Sequence, residues 1–262
     1  MPPRNPKRVA VLGCGPAGLL VAQAVLQYGF IPHIISKKVK SEIPGSQYFH
    51  EPIPHVTDVY PENVVQYIRL GTAEGYAEKV YGDPSAPCGW EHYAQTYPSW
   101  NVPKAYDMLW EKFEHSIDDQ AVMGSAMLDQ IILDHDLTIS TIPQQQVCYE
   151  AGRHTFSGTP FWIKPLPLPP LDAGKDIVVY NGNPWDLWYR WSILGGRCSV
   201  EYPVPPEPGD QDFWIKGTKA GETNCTCWGE RKFVRAGRWA EWRHGVLLHH
   251  AYRRAEAALR EL

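Results

Sequence analysis

Apolar positions change their spacing repeatedly along the chain. Lys7 to Leu12, with the apolar run Val9 to Leu12, predicts a short buried strand. Leu19 to Tyr28 is rich in Ala, Leu and Val and predicts a helix, with Gly29 as its natural stop. Ile31 to Ser36 predicts a second strand. Asn63 to Val80 predicts a helix with Val64, Tyr67, Ile68 and Leu70 on its apolar side, and 81–104 predicts a long structured loop. From Ala105 to Ile117 the residues Tyr106, Leu109, Trp110 and Phe113 share one helical face. Ala121 to Leu133 predicts another helix, and Leu137 to Pro143 a β-branched strand ended by proline. Between Val147 and Lys216 the helical period vanishes. Short strand candidates replace it: His154 to Phe156, Phe161 to Lys164, Asp176 to Tyr180, Leu187 to Ile193 and Cys198 to Tyr202. The end of the chain returns to α/β character. Lys232 to Ala236 predicts a strand, Gly237 to Gly245 a glycine-bearing loop, and Val246 to Leu262 an amphipathic helix.

The first strand and helix are joined by Gly13-Cys14-Gly15-Pro16-Ala17-Gly18, a G-x-G-x-x-G turn. In such a turn the first glycine makes the tight bend and the second lets a pyrophosphate approach the backbone. The third lets the helix pack close to the strand. The helix N-terminus adds free N–H groups and the positive end of a dipole. The strand–turn–helix–strand context has the length that a dinucleotide site needs. NAD, NADP and FAD all remain open at this point. NAD and FAD sites usually place an Asp or Glu at the end of the second strand. Here that position is Ser36, followed by Lys37 and Lys38. Ser36 suits a ribose hydroxyl and a lysine suits a phosphate, which favours NADP.

Composition narrows the partners. The 262 residues carry a net charge of -4, which argues against a general nucleic-acid binder while leaving a local basic groove open. No run is apolar enough to span a membrane. The N-terminus enters the first strand without room for a signal peptide, so the expected location is cytoplasmic. Six scattered cysteines fit that location. Only Cys225-Thr226-Cys227 is close-spaced, and without a second pair it predicts no metal. Several of the 11 Trp lie in polar or proline-rich surroundings. Trp90, His92, Trp100 and Tyr106 are candidates to wall a pocket, with core packing as the alternative for each.

The C-terminal strand, Gly-Arg turn and late helix resemble the last segment of the two-glycine-motif FAD-dependent oxidoreductases. That superfamily includes amine and glycine oxidases and UDP-galactopyranose mutase. Arg243-His244-Gly245-Val246-Leu247-Leu248 is similar to the closing motif of the glycine-oxidase branch, and Gly15-Pro16-Ala17-Gly18 has a form common in flavoproteins. Leu137 to Pro143 is similar to the strand before the substrate sheet in the amine-oxidase and mutase branches. The run from Ser36-Lys37-Lys38 through Gln47-Tyr48-Phe49-His50 to Pro54 resembles small FAD-dependent oxidoreductases of actinobacterial phages. Some phage flavoproteins are implicated in modifying thymine through an amino-acid adduct.

The resemblance implies an α/β fold, with a Rossmann-like FAD-binding domain of three layers around a parallel sheet and a small antiparallel β substrate layer. The expected FAD-binding domain comprises 1–50, 105–146 and 219–262. Residues 51–104 form an expected loop and helix insertion, and 147–218 a reduced antiparallel substrate subdomain. The implied cofactor is FAD, contacted by Gly13, Gly15, Pro16, Ala17, Gly18, Ser36, Lys37, Lys38, Gln47, Gly237, Arg238, Gly245 and Val246. The implied reaction is hydride transfer to flavin N5 from an amine-type, glycine-like C–N substrate, by an oxidoreductase or lyase. The substrate is a small amine or amino-acid-like molecule, or a modified thymine in phage DNA. His50, Glu51 and Arg243 are the catalytic candidates. His50 titrates near neutrality, Glu51 suits an ammonium group, and Arg243 suits a carboxylate. His249 and His250, in the last helix, are read as packing or surface residues. The competing readings are an NAD(P)H-linked flavin reductase or isomerase, and a non-catalytic dinucleotide-binding protein.

Overall fold

The computed structural model describes residues 7–43, 45, 47–57, 61–90, 96–122, 124–150, 152–169, 176–204, 214–229 and 232–262. The chain begins with β1 (Arg8–Leu12), α1 (Pro16–Gln27), β2 (Ile31–Ser36), β3 (Tyr48–Phe49), β4 (Asn63–Gly71), α2 (Ala73–Tyr81) and β5 (Thr96–Asn101). It continues with α3 (Val102–Phe113), β6 (Ile117–Asp119), α4 (Ser125–Asp134), β7 (Leu137–Ser140), α5 (Gln144–Val147) and β8 (Phe156–Leu166). Then come β9 (Asp176–Gly182), β10 (Arg190–Leu194), β11 (Arg197–Tyr202), β12 (Trp214–Thr223), β13 (Phe233–Arg235), α6 (Arg238–Glu241) and α7 (Leu248–Arg260). Two compact units result: Met1–Glu42, Lys104–Ser157 and Ala220–Leu262 form one, and Ile43–Pro103 with Gly158–Lys219 the other.

The first unit is built on a parallel sheet of order β13-β7-β1-β2-β6. Side chains alternate across β1, and both faces are buried. Ala10 and Leu12 pack with Leu128, Ile131 and Ile132 of α4. Val9 and Val11, on the opposite face, are also fully buried. Helix α1 is buried along Leu19 to Val25 and packs against α7, which buries Ala251, Tyr252, Ala255 and Leu259. Burying each such Leu or Val contributes roughly 1.5–3 kcal/mol. The strand order reverses between β1 and β7, and in open α/β sheets that reversal leaves a crevice beyond the strand ends.

The second unit is a sheet of order β12-β8-β11-β10-β9-β4-β5-β3. Its described pairings are antiparallel except β4 with β9. The sequence reading made Asn63 to Val80 one helix. The chain instead forms β4, crosses Thr72, and only then forms α2. The Thr72 hydroxyl caps α2 by accepting the Gly75 N–H at 3.0 Å. Tyr76 and Val80 of α2 pack on Phe161 and Tyr189. Residues 81–104, expected as loop, contribute β5 to this sheet. Among the described residues no helix is long and apolar enough to cross a membrane.

Candidate functional site

The glycine turn lies at the strand-order reversal of the first unit, at the C-terminal end of β1. Its glycines have distinct surroundings. Gly13 adopts φ +103°, a backbone that favours glycine. A methyl group on Gly18 would lie 1.9 Å from the Gly13 carbonyl oxygen, so Gly18 lets α1 reach the strand. Gly15 differs: its added methyl would find nothing nearer than Ser41 Oγ, at 3.8 Å. A side-chain carbon therefore fits without a clash at Gly15, the residue that caps the start of α1. Pro16 holds the first helical position and lacks an N–H, so the first N–H groups of the helix come from Ala17 and Gly18. That arrangement suits a pyrophosphate.

Neighbouring strands hold the turn. Thr141, just after β7, sends its N–H and its hydroxyl to the Leu12 carbonyl at 2.9 and 2.7 Å. Tyr106 of α3 is buried, and its hydroxyl donates to the Cys14 carbonyl at 3.1 Å while accepting the Ser41 N–H at 3.0 Å. Burial raises the pKa of this phenol, which keeps it a donor. The Cys14 thiol donates to the Lys37 carbonyl at 3.3 Å. Tyr106, a candidate either for a pocket wall or for core packing, is buried in this unit and braces the glycine turn.

Ser36 ends β2, and Lys37 and Lys38 follow with exposed side chains. The carboxylate that the end of β2 lacks is present on the next strand. Asp119 of β6 pairs with Ser36, and it accepts the Lys38 N–H at 2.9 Å. Nothing in the local pattern around 119 pointed to it, because the pairing joins strands far apart in sequence.

The C-terminal return meets the same helix start. Gly237 has φ +98°, and a methyl there would touch Ala17 at 3.4 Å and Ala251 at 3.5 Å. The backbone thus passes close to the start of α1. Arg238 Nε donates to the Val246 carbonyl at 3.1 Å, fastening the loop before α7. Helix α7 starts at Leu248, with Leu247 as N-cap, two residues after the Gly245–Val246 start read from the sequence. Gly245 has φ +79° and Val246 is buried. His250 tightens the first turn by accepting the Leu247 N–H at 3.1 Å through Nδ1, and His249 is buried. Arg243 is 72% exposed in its side chain and lies 3.6 Å from Glu241.

Gln47, His50 and Glu51 belong to the second unit. His50 stacks on Tyr48 with ring centroids 4.4 Å apart and meets the edge of Tyr97 at 6.3 Å. The Gln47 carbonyl accepts the Val102 N–H at 3.4 Å. Trp90 packs on Tyr76, with the Arg69 guanidinium 5.5 Å from its ring, and Trp100 is buried. His92 lies outside the described residues. This unit also contains a buried charged group that the sequence reading missed. Glu201 is 2% exposed and is met by the Arg190 guanidinium and the Tyr189 hydroxyl. Cross-strand pairing of Arg190 with Glu201 creates it, in the hairpin that the Gly195-Gly196 turn closes between β10 and β11.

The pair Cys225 and Cys227, read as lacking partners for a metal, is joined in the fold by Cys148 and His154.

No protein-family model matches the chain, and no curated protein matches it. Solved structures do. Reduced UDP-galactopyranose mutase is similar at a TM-score of 0.58 and 13% identity, covering 98% of this chain and 95% of that one. A variant of HpxO from Klebsiella pneumoniae, solved with FAD, gives 0.50 and 10%, covering 97% and 79%. The 2,6-dihydroxypyridine-3-hydroxylase from Arthrobacter nicotinovorans gives 0.52 and 12%, covering 97% and 82%. At these identities the likeness is one of fold: over nearly its whole length the chain has the α/β, Rossmann-like architecture that these proteins share.

Proposed function

We propose that the chain is an FAD-dependent oxidoreductase acting on an amine-type, glycine-like C–N bond. The observation that carries the reading is the contrast within the glycine turn. A methyl group on Gly13 or Gly18 would clash with protein, while one on Gly15, at the helix start, would meet only Ser41 Oγ, at 3.8 Å. In this reading Gly13, Gly15, Ala17, Gly18 and the Ser36–Lys38 segment hold the ADP half of FAD. The Gly237 turn, Arg238, Gly245 and Val246 serve the flavin half, supported by the approach of Gly237 to Ala17. Bound FAD supplies a two-electron acceptor for the C–H bond beside the nitrogen. The chain has to bind the substrate, keep its amine unprotonated and exclude water. His50 is assigned to take the ammonium proton and Glu51 to orient the amine; Arg243, in the first unit, is a separate candidate for a carboxylate. An amino-acid adduct on a thymine of phage DNA is the macromolecular form of the same substrate class.

Anaerobic mixing of the flavin-loaded protein with glycine, small amines and NADPH tests the reading. Loss of flavin colour with an amine, and not with NADPH, is expected. Bleaching by NADPH alone contradicts the assignment and favours an NADPH-linked reductase. For the DNA form, duplex DNA carrying glycine-modified thymine is expected to react faster than free glycine, and equal rates contradict it.

A further inference from the structure

Four soft ligands converge outside the dinucleotide site. They come from two segments far apart in sequence: Cys148 and His154 follow α5, while Cys225 and Cys227 precede β13. The sheet brings the segments together, because β7 and β13 are parallel neighbours in register at Thr138 and Phe233. Further contacts fix the two loops. Gln144 Nε2 donates to the Cys225 carbonyl at 3.1 Å, and Trp228 Nε1 donates to the Val147 carbonyl at 2.5 Å. The Thr155 N–H reaches Asn224 Oδ1 at 2.8 Å, and the Cys225 N–H reaches Thr223 Oγ1 at 3.1 Å.

The donor atoms have the spacing of a coordination shell. Cys148 Sγ and Cys227 Sγ are 3.8 Å apart, and His154 Nδ1 lies 3.1 Å from the first and 3.6 Å from the second. All four donor atoms lie within 4.8 Å of one another. A tetrahedral ion with bonds of about 2.3 Å to sulfur and about 2.0 Å to nitrogen gives edges of about 3.8 Å and about 3.5 Å. A disulfide would need about 2.05 Å between sulfurs. Cys225 and Cys227 are 7% and 3% exposed, so the cluster is closed rather than open to substrate. His154 turns Nδ1 to the thiols and leaves Nε2 3.7 Å from Glu150 Oε2.

We propose that Cys148, His154, Cys225 and Cys227 bind one zinc ion in a closed, structural Cys3His site. Three thiolates and a neutral imidazole around a divalent ion leave one excess negative charge. Arg235 offsets it: its Nη2 is 3.8 Å from Cys225 Sγ and also donates to the Cys227 carbonyl. Binding releases the three thiol protons to solvent. Three thiolates select zinc over magnesium, calcium and manganese, and four protein ligands leave no position for a reacting water. The ion ties the segment after β7 to the approach of β13, the strand that leads into Gly237.

The test is zinc content, read independently of flavin. Wild-type chain purified from zinc-supplemented cells without chelator is expected to carry about one zinc. A mercurial thiol reagent should release it, with about three thiols consumed per zinc. Cobalt substitution should give thiolate charge-transfer bands and the intense visible bands of tetrahedral coordination. Cys227→Ser and His154→Ala should lose the metal, while Cys88→Ser and Cys198→Ser keep it. A folded wild-type chain without zinc, a Cys148–Cys227 disulfide, or zinc whose release is independent of thiol modification overturns the proposal. If Cys227→Ser does not fold, the mercurial titration of the wild-type chain decides alone. Flavin content reports separately on the FAD reading.

Discussion

The hydroxyl of Tyr106 donates to the carbonyl of Cys14 at 3.1 Å, so a helix residue 92 positions downstream holds the turn between β1 and α1. The same oxygen takes the Ser41 N–H. Tyr106→Phe leaves the Cys14 carbonyl without this partner in a buried place and removes the acceptor of the Ser41 N–H on the exposed side. The expected result is a loss of about 1–3 kcal/mol in unfolding free energy, together with faster loss of FAD. Denaturant unfolding and flavin release on gel filtration measure the two. An unchanged flavin release rate would show that the turn needs no such brace.

Gly15 and Gly18 should respond oppositely to the same small change. Gly18→Ala places a methyl 1.9 Å from the Gly13 carbonyl oxygen, and β1 and α1 must separate to admit it. A loss on the order of 3 kcal/mol or more in stability is expected. Gly15→Ala meets nothing closer than 3.8 Å, so the apoprotein should melt as wild type does while FAD retention falls. Larger side chains there should abolish retention. If Gly15→Ala keeps full flavin, the backbone at Gly15 is not the phosphate site.

Asp119 stands opposite Ser36 and accepts the Lys38 N–H. Asp119→Ala frees the Lys38 segment and is expected to weaken FAD binding by about fivefold to tenfold, with little change in melting temperature. Equilibrium titration of the apoprotein with FAD measures it, and an unchanged dissociation constant would remove Asp119 from the site.

Acid sensitivity should trace to His135. It is buried, donates through Nδ1 to the Ile131 carbonyl at 2.7 Å, and accepts through Nε2 from His33 Nδ1 at 2.9 Å. His33 in turn faces Asp118 at 3.3 Å. Burial is the main reason that the His135 pKa lies below the ordinary 6.5, and His33 and Arg8 lower it further. The unfolded chain therefore takes up a proton near 6.5 that the folded chain refuses until lower pH. Stability should fall as pH drops below about 6.5 and be flat above it. His135→Asn should flatten the melting profile between about pH 7.5 and about pH 5. Parallel profiles for variant and wild type would contradict this assignment.

The opening βαβ unit could be read from sequence because its signals are local. Gly13, Gly15, Gly18 and Gly29 punctuate a strand and helix whose partners are close in the chain. Strand β4 could not. Val64, Tyr67, Ile68 and Leu70 fit helical spacing, and the pairing with β9 that makes them a strand lies more than a hundred residues away. The same reason hid Asp119 and the partners of Cys225 and Cys227. Each is created by register between distant strands. The C-terminal loop is readable as a glycine turn, while the helix after it starts at Leu248, with Leu247 as its N-cap.

The flavin content of the freshly purified chain tests the central claim most directly. The account predicts a yellow protein that releases about one FAD per chain on denaturation, and a colourless Gly15→Val variant that still folds. A colourless wild-type chain that takes up no FAD on incubation would contradict it.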